Sequence, residues 1–507
     1  MLELAVFLCG AVVMVLELTG SRVLAPFLGT SIIVWTSLIG VVLGSLSAGY
    51  WWGGRLADRR PEPRLLSRII LLAALATLLL AGLKGFLLLY LQNKASLATA
   101  TLWATLVLFA PVSVLLGMVS PFAVRLRVHD AASSGSTAGN LYALSTLGSI
   151  AGTFGAGFWL TATLGTTNII LCMAGVLVAA AFCAYPQDLK VKFIVIACIA
   201  AMSLWLAQRS ALFRQVGLLD LDTPYQRVLV FEGMNAATGE LQRVLTTSPE
   251  GVQSAMDPAD PTRLVLPYSR FYRLVEFYRP DAARVLMLGG GGYSYPKWAL
   301  THGEFRRDEN GKPAVRMDVV ELDPGMTEIA RRQFALGQVI APGDPRLTIH
   351  HDDARRFLNS AQASGTPYQV ALVDVFTSQL SVPFHLATRE TAQEISRLLD
   401  ADGVVLVNCL STLEGPRSGM FRALLATYSS VFPRVESFRV SPEDKVTELQ
   451  NIILVGFKSA TPPRFSSTRP EYSALLAARM DHSKYLADAP PPLTDDFAPV
   501  DHYLLGL

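Results

Sequence analysis

Three acids and a glycine cluster stand at the ends of apolar runs, where residue types of this kind can bind and act on a nucleoside. The run Arg284 to Leu288 stops on Gly289, Gly290, Gly291 and Gly292, which reads as a buried parallel strand ending in a turn without a Cβ in the way. A second run, Asp318 to Val320, ends in Glu321, a carboxylate suited to accept hydrogen bonds from a ribose diol. A third ends in His350, His351, Asp352, Asp353 and Ala354, and a fourth in Val373 and Asp374. Gly289 to Gly291 would admit the sugar and tail of a cofactor, and Asp353 could accept from the exocyclic amine of a purine. Asp374 would face the reacting end and take a proton from an incoming amine. Asp353 also stands where the N-cap of a helix starting at Ala354 would, and Asp374 where a capped loop would. His350 and His351 have no matching third ligand, which argues against a metal site.

The elements that must position these residues alternate. Strands are expected at 284–288, near 316–321, at Leu347 to His350, Val370 to Val373, Val404 to Val407 and Asn451 to Phe457. Helices are expected from Pro296, over Pro324 to Leu336, from Ala354, over 388–399 and near 417–429. Alternation at this spacing predicts a parallel sheet covered on both faces, with ligands outside the carboxyl ends of its strands. Before it, Tyr225 to Phe231 and Leu241 to Thr246, joined by a turn with Asn235 and Gly239, predict a hairpin, followed by a helix over Leu264 to Phe277. After it, Ser459 to Pro492 is rich in Pro and Ala and closes on Thr494 to Val500.

The first two hundred residues have a different texture. With 51% hydrophobic residues in 507 and a mean hydropathy of +0.37, the chain is too apolar to be wholly soluble. Apolar segments run from Leu2 to Leu18, Ile32 to Trp52, Leu65 to Tyr90, Ala100 to Val119, Leu141 to Leu164, Thr167 to Tyr185 and Phe193 to Leu206, about seven candidate spans. The first carries Glu3 and Glu17 and lacks a basic leader, so it reads as a span, not a cleaved signal. Arg55, Arg59, Arg60, Arg64 and Arg68 follow the second segment and Arg125 and Arg127 the fourth, which places those connections and the amino terminus in the cytoplasm. Seven crossings would then leave the nucleoside half outside. A cytoplasmic half is expected instead, with the last segment failing to cross or a re-entrant turn near Pro111 or Pro121. Gly40, Gly44, Gly49 and Gly53, and Gly148, Gly152 and Gly155, read as helix-packing surfaces. Glu17 is a costly carboxylate that either pairs with Arg22 or faces a polar path; Lys84 and Asn140 snorkel or cap. A net charge of +2 without a basic stripe excludes a nucleic-acid binder, and the five cysteines form no disulfide or metal pattern.

Seven ordered landmarks carry a resemblance. Tyr225 and Gln226, Leu245 to Gln253, Tyr268 to Arg270, Val285 to Gly291, Val320 to Pro324, Asp353 to Leu358, and Tyr368 to Asp374 are similar to those of the spermidine synthase (polyamine aminopropyltransferase) family. With the membrane half in front, the chain resembles the membrane-bound spermidine synthase-like proteins of bacteria. The resemblance covers about residues 220–460. It implies decarboxylated S-adenosylmethionine as co-substrate, an amine acceptor and methylthioadenosine as product, with no metal. It implies that Gln226, Gln253 and Tyr268 approach the co-substrate or the transferred chain, that Glu321 binds the ribose and Asp353 the adenine, and that Asp374 is the deprotonating carboxylate; Gly289, Gly290, Gly291, Asp323, Asp352 and Ala354 are expected to complete the co-substrate site. Two departures fall where acceptor diamines are held: Gly292 and Tyr293 replace an aspartate and a glycine, and Val375 to Ser378 offer hydroxyls where the family has a second carboxylate. Each loses a charge-assisted bond of about 1.5–3 kcal/mol. An acceptor other than putrescine is expected, bulkier and more apolar, delivered from the bilayer beside Tyr293, Tyr295 and Phe376.

The expected architecture is an N-terminal α-helical transmembrane bundle (residues 1–210), a linker and β-hairpin subdomain (211–280), a Rossmann-like α/β domain of the S-adenosylmethionine-dependent methyltransferase type (281–460) and a C-terminal tail (461–507). The expected setting is multi-pass in the bacterial inner membrane, with the lipid bilayer as partner and the hairpin as a subunit contact for a homodimer. Two other functions compete. One is methyl transfer from intact S-adenosylmethionine. The other is a transporter or sensor, since the Gly53 to Arg60 loop resembles a transporter signature. A dehydrogenase is disfavoured because the glycine turn lacks a clean G-x-G-x-x-G.

Overall fold

The computed structural model describes residues 1–92, 94–128, 134–235, 238–248, 251–305, 307–309, 311, 314–361, 366–376, 382–442 and 445–505. The chain forms two compact units, Met1–Val228 and Leu229–Leu507.

In the first unit, six helices among the described residues are long and apolar enough to cross a membrane. They are Leu2–Leu28, Ile32–Arg59, Pro63–Gln92, Ala110–Arg127, Thr166–Ala184 and Leu189–Gln215, the pattern of a multi-pass membrane protein. The fifth of the seven expected segments, Leu141 to Leu164, is not among them, whereas the last, expected as a candidate not to cross, is. It forms a helix, Ser134–Gly155, drawn out by a wider turn at Ala156–Leu160, but its Ser, Thr and Gly content dilutes its apolarity. The expected fourth segment is interrupted: Leu97–Leu108 ends before a break at Phe109, with Pro111 in the opening turn of the next helix. The Gly53 to Arg60 stretch is no loop; it is the last two turns of Ile32–Arg59 and the residue beyond.

Glycines set how closely these helices approach. A Cβ at Gly148 or Gly152 would lie 2.0 and 2.3 Å from the carbonyl oxygens of Phe7 and Ala11, and one at Gly49 2.2 Å from that of Val114. Gly40, Gly44 and Gly155 meet nothing within 4 Å, so only part of the expected small-residue surface is packed. Arg22 donates to the carbonyls of Thr161 (2.8 Å) and Thr223 (2.6 Å), and Glu17 has no hydrogen bond or ion pair to a described residue. Of the two readings of Glu17, the pairing with Arg22 is therefore not formed. Lys84 caps onto Thr167 Oγ1 at 2.8 Å.

The hairpin belongs to a four-stranded sheet in chain order: β1 (Leu219–Asp222), β2 (Arg227–Met234), β3 (Leu241–Thr246) and β4 (Ser254–Met256). The expected helix over Leu264 to Phe277 is two short ones, Pro267–Phe271 and Leu274–Tyr278. Eight further strands form one sheet: β5 (Arg284–Leu288), β6 (Arg316–Val320), β7 (Leu347–His350), β8 (Tyr368–Val373), β9 (Leu399–Ser411), β10 (Arg434–Arg439), β11 (Gln450–Phe457) and β12 (Arg479–Met480). Their order is β12-β10-β11-β9-β8-β5-β6-β7. The five strands β5 to β9 run parallel, but β11 joins β9 antiparallel, and β10 and β12 follow antiparallel. The expected all-parallel sheet is thus mixed, because β10 and β11 are neighbours in sequence with no crossover helix to reverse the second.

Side chains alternate between two cores, one on each face of the sheet. Leu286, Leu288, Ala371, Val373, Val405 and Val407 join the core under helices Ala354–Ala361, Arg389–Leu398 and Gly419–Ser429. Val285, Met287, Val319, Leu372 and Leu406 join the other, with Tyr272, Tyr293 and Tyr295. Sequence order runs β5-β6-β7 to one side and β8-β9 to the other, so the switch point lies between β5 and β8.

Candidate active site

At the switch point the ends of four strands come to one level. Leu288 is in register with both Val320 and Val373, and Val320 with His350. The next residues, Gly289, Glu321, Asp374 and His351, therefore stand at one level across four adjacent strands. Their N–H groups extend the ladder: Gly289 to Val320 O (2.8 Å), Glu321 to His350 O (2.9 Å) and Asp374 to Leu288 O (2.9 Å). Strand alternation sends Glu321 and Asp374 to the same face, that of Val319 and Leu372. With about 4.8 Å between strands, the two spacings across β5 separate their backbones by roughly 10 Å, the span of a nucleoside.

Each acid has a different setting. Asp374 Oδ1 accepts from Asn408 Nδ2 at 2.9 Å, and Asn408 Oδ1 accepts from Asn451 Nδ2 at 2.9 Å. Burial raises the Asp374 carboxyl above the ordinary range, opposed by its bonds from Asn408 and Tyr272. Burial, and then the charge on Asp374, hold the Tyr268 and Tyr272 hydroxyls well above the usual phenol range. Burial also raises Glu321, against the backbone N–H groups that favour its charged form. Its Oε2 accepts from Gly290 (2.9 Å) and Gly291 (3.2 Å), and its Oε1 from Asp323 (3.0 Å).

The glycine turn differs from the expectation. Every one of its N–H groups is spent within the protein, since Gly292 donates to Ser254 Oγ at 2.9 Å. The glycines are required by close packing: a Cβ at Gly289 (φ +90°) would lie 2.1 Å from Asp374 O, and one at Gly290 2.7 Å from the Tyr293 ring. Tyr293 and Tyr295, expected beside an acceptor, are buried to 1% exposure or less, bonded to Thr327 (2.8 Å) and Glu276 (3.2 Å). Phe376 is partly exposed; Thr377 and Ser378 lie outside the described residues.

Asp323 is buried and caps helix Pro324–Gln333 through Gly325 N–H at 2.9 Å. Asp353 lies beyond the common level, at the head of helix Ala354–Ala361, where its Oδ1 takes Arg356 N–H at 3.0 Å and its Oδ2 lies 3.4 Å from His385 Nε2. Asp352 accepts from Asp353 N–H at 2.9 Å, and Ala354 is buried. Tyr268 donates to Gln253 O at 3.3 Å. Gln253 Oε1 is buried with no hydrogen-bond partner among the described residues. Gln226 belongs to the first unit, where its N–H bonds Thr223 Oγ1 at 3.0 Å. Asn408, Asn451, Ser254, His385 and Arg355 were not singled out from the sequence; a lone amide inside the apolar run Val404 to Leu410 was the signal for Asn408. No three His, Cys, Asp or Glu residues gather to hold a metal among the described residues, and His350 bonds Asp318 at 2.9 Å.

No family model matches the chain. A polyamine aminopropyltransferase of Vibrio vulnificus is 32% identical over 226 residues, 43% of this chain and 66% of that protein. Polyamine aminopropyltransferase 1 of Streptomyces coelicolor is 22% identical over 489 residues, 91% of this chain and 84% of that protein. The crystal structure of spermidine synthase from Thermotoga maritima aligns with a TM-score of 0.38 at 18% identity, over 54% of this chain and 87% of that one. The chain thus spans just under two thirds of the Vibrio protein's length. Similarity to one relative over the α/β unit, and to another along nearly its whole length, makes the chain a member of the spermidine synthase/polyamine aminopropyltransferase family with an N-terminal apolar helical region.

Proposed function

We propose that the protein is a membrane-integrated transferase that moves an aminopropyl group from decarboxylated S-adenosylmethionine to an amine and releases methylthioadenosine. One observation carries the reading: Asp374, Gly289 and Glu321 stand at one level of the sheet, with the Asp374 carboxylate gripped by Asn408. The sulfonium supplies an activated carbon. Asp374 takes the proton from the incoming ammonium, so that the nitrogen lone pair forms the new C–N bond while the C–S pair leaves with sulfur. A carboxyl raised by burial is a stronger proton acceptor than an exposed one.

Glu321 would hold the ribose hydroxyls. Three of its roughly four acceptor positions are taken by backbone N–H groups, so gripping both hydroxyls requires Gly290 or Gly291 to release one. Asp323 supports Glu321 through its N–H. Asp353, flanked by Asp352 and Ala354, would accept from the purine amine. Gln253 Oε1 fits the polar aminopropyl end, because it costs about 1–3 kcal/mol while unsatisfied. Tyr268 would line the transferred chain. The acceptor is an amine other than putrescine: at Gly292 there is no carboxylate for a second ammonium, and its N–H is held by Ser254. Of the three aromatic residues first expected beside it, Phe376 is the partly exposed one.

Calorimetry on the detergent-solubilised full chain tests this. Methylthioadenosine and decarboxylated S-adenosylmethionine should bind more tightly than S-adenosylhomocysteine. Tightest binding of S-adenosylhomocysteine would replace the reading with methyl transfer, and no binding of any would leave a sensor or transporter. Turnover of putrescine at the rate of a soluble synthase would overturn the acceptor assignment.

A further inference from the structure

The closing motif of the chain, Leu493 to Val500, takes no part in the reaction described above, yet it is tied to the base end of the site. Leu493 O accepts from Arg389 N–H at 2.8 Å, and Leu493 N–H donates to Thr427 Oγ1 at 2.9 Å. Thr494 and Phe497 then exchange N–H···O bonds of 3.0 Å, closing a tight turn around Asp495. The N–H and both carboxylate oxygens of Asp495 are used. Its N–H donates to Glu390 Oε2 at 3.0 Å, its Oδ1 accepts from Thr388 Oγ1 at 2.7 Å, and its Oδ2 accepts from Arg355 Nη2 at 2.8 Å.

These partners are the heads of two helices. Thr388 is the N-cap of Arg389–Leu398, and Arg355 is the second residue of Ala354–Ala361, two places after Asp353. The other arm of the guanidinium, Nη1, reaches Thr391 Oγ1 at 2.5 Å and His385 O at 3.4 Å. The His385 ring in turn lies 3.4 Å from Asp353 Oδ2. A planar, permanently charged fork is suited to hold such a knot, because its donors are fixed relative to one another.

We propose that Asp495 is a positioning residue for base recognition: through Arg355 the C-terminal strap fixes the His385–Asp353 pair, and with it the selectivity for a 6-amino purine. This rests on the assignment of Asp353 to the purine amine. A strap that served only to hold the terminus in place would, if cut loose, lower stability and weaken all nucleosides alike. A strap that aims Asp353 changes the ratio between a base with an exocyclic amine and one without.

The measurement is calorimetry on the full-length protein in detergent, with methylthioadenosine and its 6-oxo counterpart, methylthioinosine. Wild type should prefer methylthioadenosine, and Asp495→Asn should reduce that preference by about tenfold, the order expected when a charge-assisted bond is weakened. Asp495→Glu should restore part of it. Arg355→Gln should show the same loss, with no further loss in the double variant, because both act along one chain of contacts; it also serves if Asp495→Asn does not fold. An unchanged preference in Asp495→Asn, or equal weakening of both nucleosides, would overturn the proposal. A wild type that binds both nucleosides equally would instead remove the Asp353 assignment on which it stands.

Discussion

Asp374 is the residue on which chemistry and stability pull apart. A carboxyl whose folded pKa is raised contributes stability that is full below its unfolded pKa and lost as pH rises through the folded value. At neutral pH the charged, half-buried group is therefore a cost. Asp374→Asn should raise the melting temperature at pH 7 and not at pH 3, while lowering turnover roughly a hundredfold to ten-thousandfold, as expected for loss of a general base. Thermal scans at the two pH values and a product assay check both halves. Asn408 lowers the same carboxyl, so Asn408→Leu should move the acidic limb of the kcat/KM profile to higher pH. An unmoved limb would show that Asp374 is not the group titrating. Gly289→Ala should cost more than about 2 kcal/mol from its left-handed backbone and overlap with Asp374 O, read as a lowered denaturant midpoint.

The elements of the α/β unit were legible where periodicity and punctuation agreed. Strand Arg284–Leu288 was read to the residue because an apolar run meets glycine, and helix Pro324–Gln333 because an Asp-Pro pair opens it. Strands β10 and β12 were not legible. The alternation of Arg434 to Arg439 is short, and the two residues of β12 gain strand character from pairing with β10, a tertiary effect. The acids of the site could be read as strand-end residues. Their supporting amides, Asn408 and Asn451, come from strands far apart in sequence that only the sheet order brings together. In the helical unit, glycine spacing alone did not separate packed from unpacked faces. Gly148→Ala and Gly152→Ala should each destabilise by about 1–3 kcal/mol through collision with the facing backbone. Gly40→Ala and Gly44→Ala should be neutral or slightly stabilising. Melting of the four variants in one detergent ranks them.

At the scale of the molecule, span number decides which compartment supplies the substrates. Six crossings, unlike seven, would return the chain to the side on which it began. The contacts follow the second course: Arg64, at the head of Pro63–Gln92, bonds Asp188 before the last apolar helix at 2.8 Å, and Arg22, near the far end of Leu2–Leu28, bonds Thr223 O after it at 2.6 Å, so Ser134–Gly155 and its extension also run end to end. With the arginines after the second span marking the cytoplasm, the residues around Thr223 are predicted to lie on the opposite side, against the cytoplasmic half expected from the sequence. A fluorescent protein fused after Leu507 should then stay dark, and a periplasm-dependent phosphatase fused there should be active. The reverse pattern would require that one of the seven helices does not cross.

The shared register at Leu288, Val320 and Val373 limits how such a protein can change. One residue inserted within β8 would leave its hydrophobicity almost unaltered yet turn the proton acceptor to the opposite side of the sheet. New activities can therefore arise here by exchanging side chains at fixed addresses, or by lengthening loops after those addresses, but not by sliding a strand. Lineages of such proteins should vary in the length of their connections while the distance from each glycine or acid to its strand stays constant.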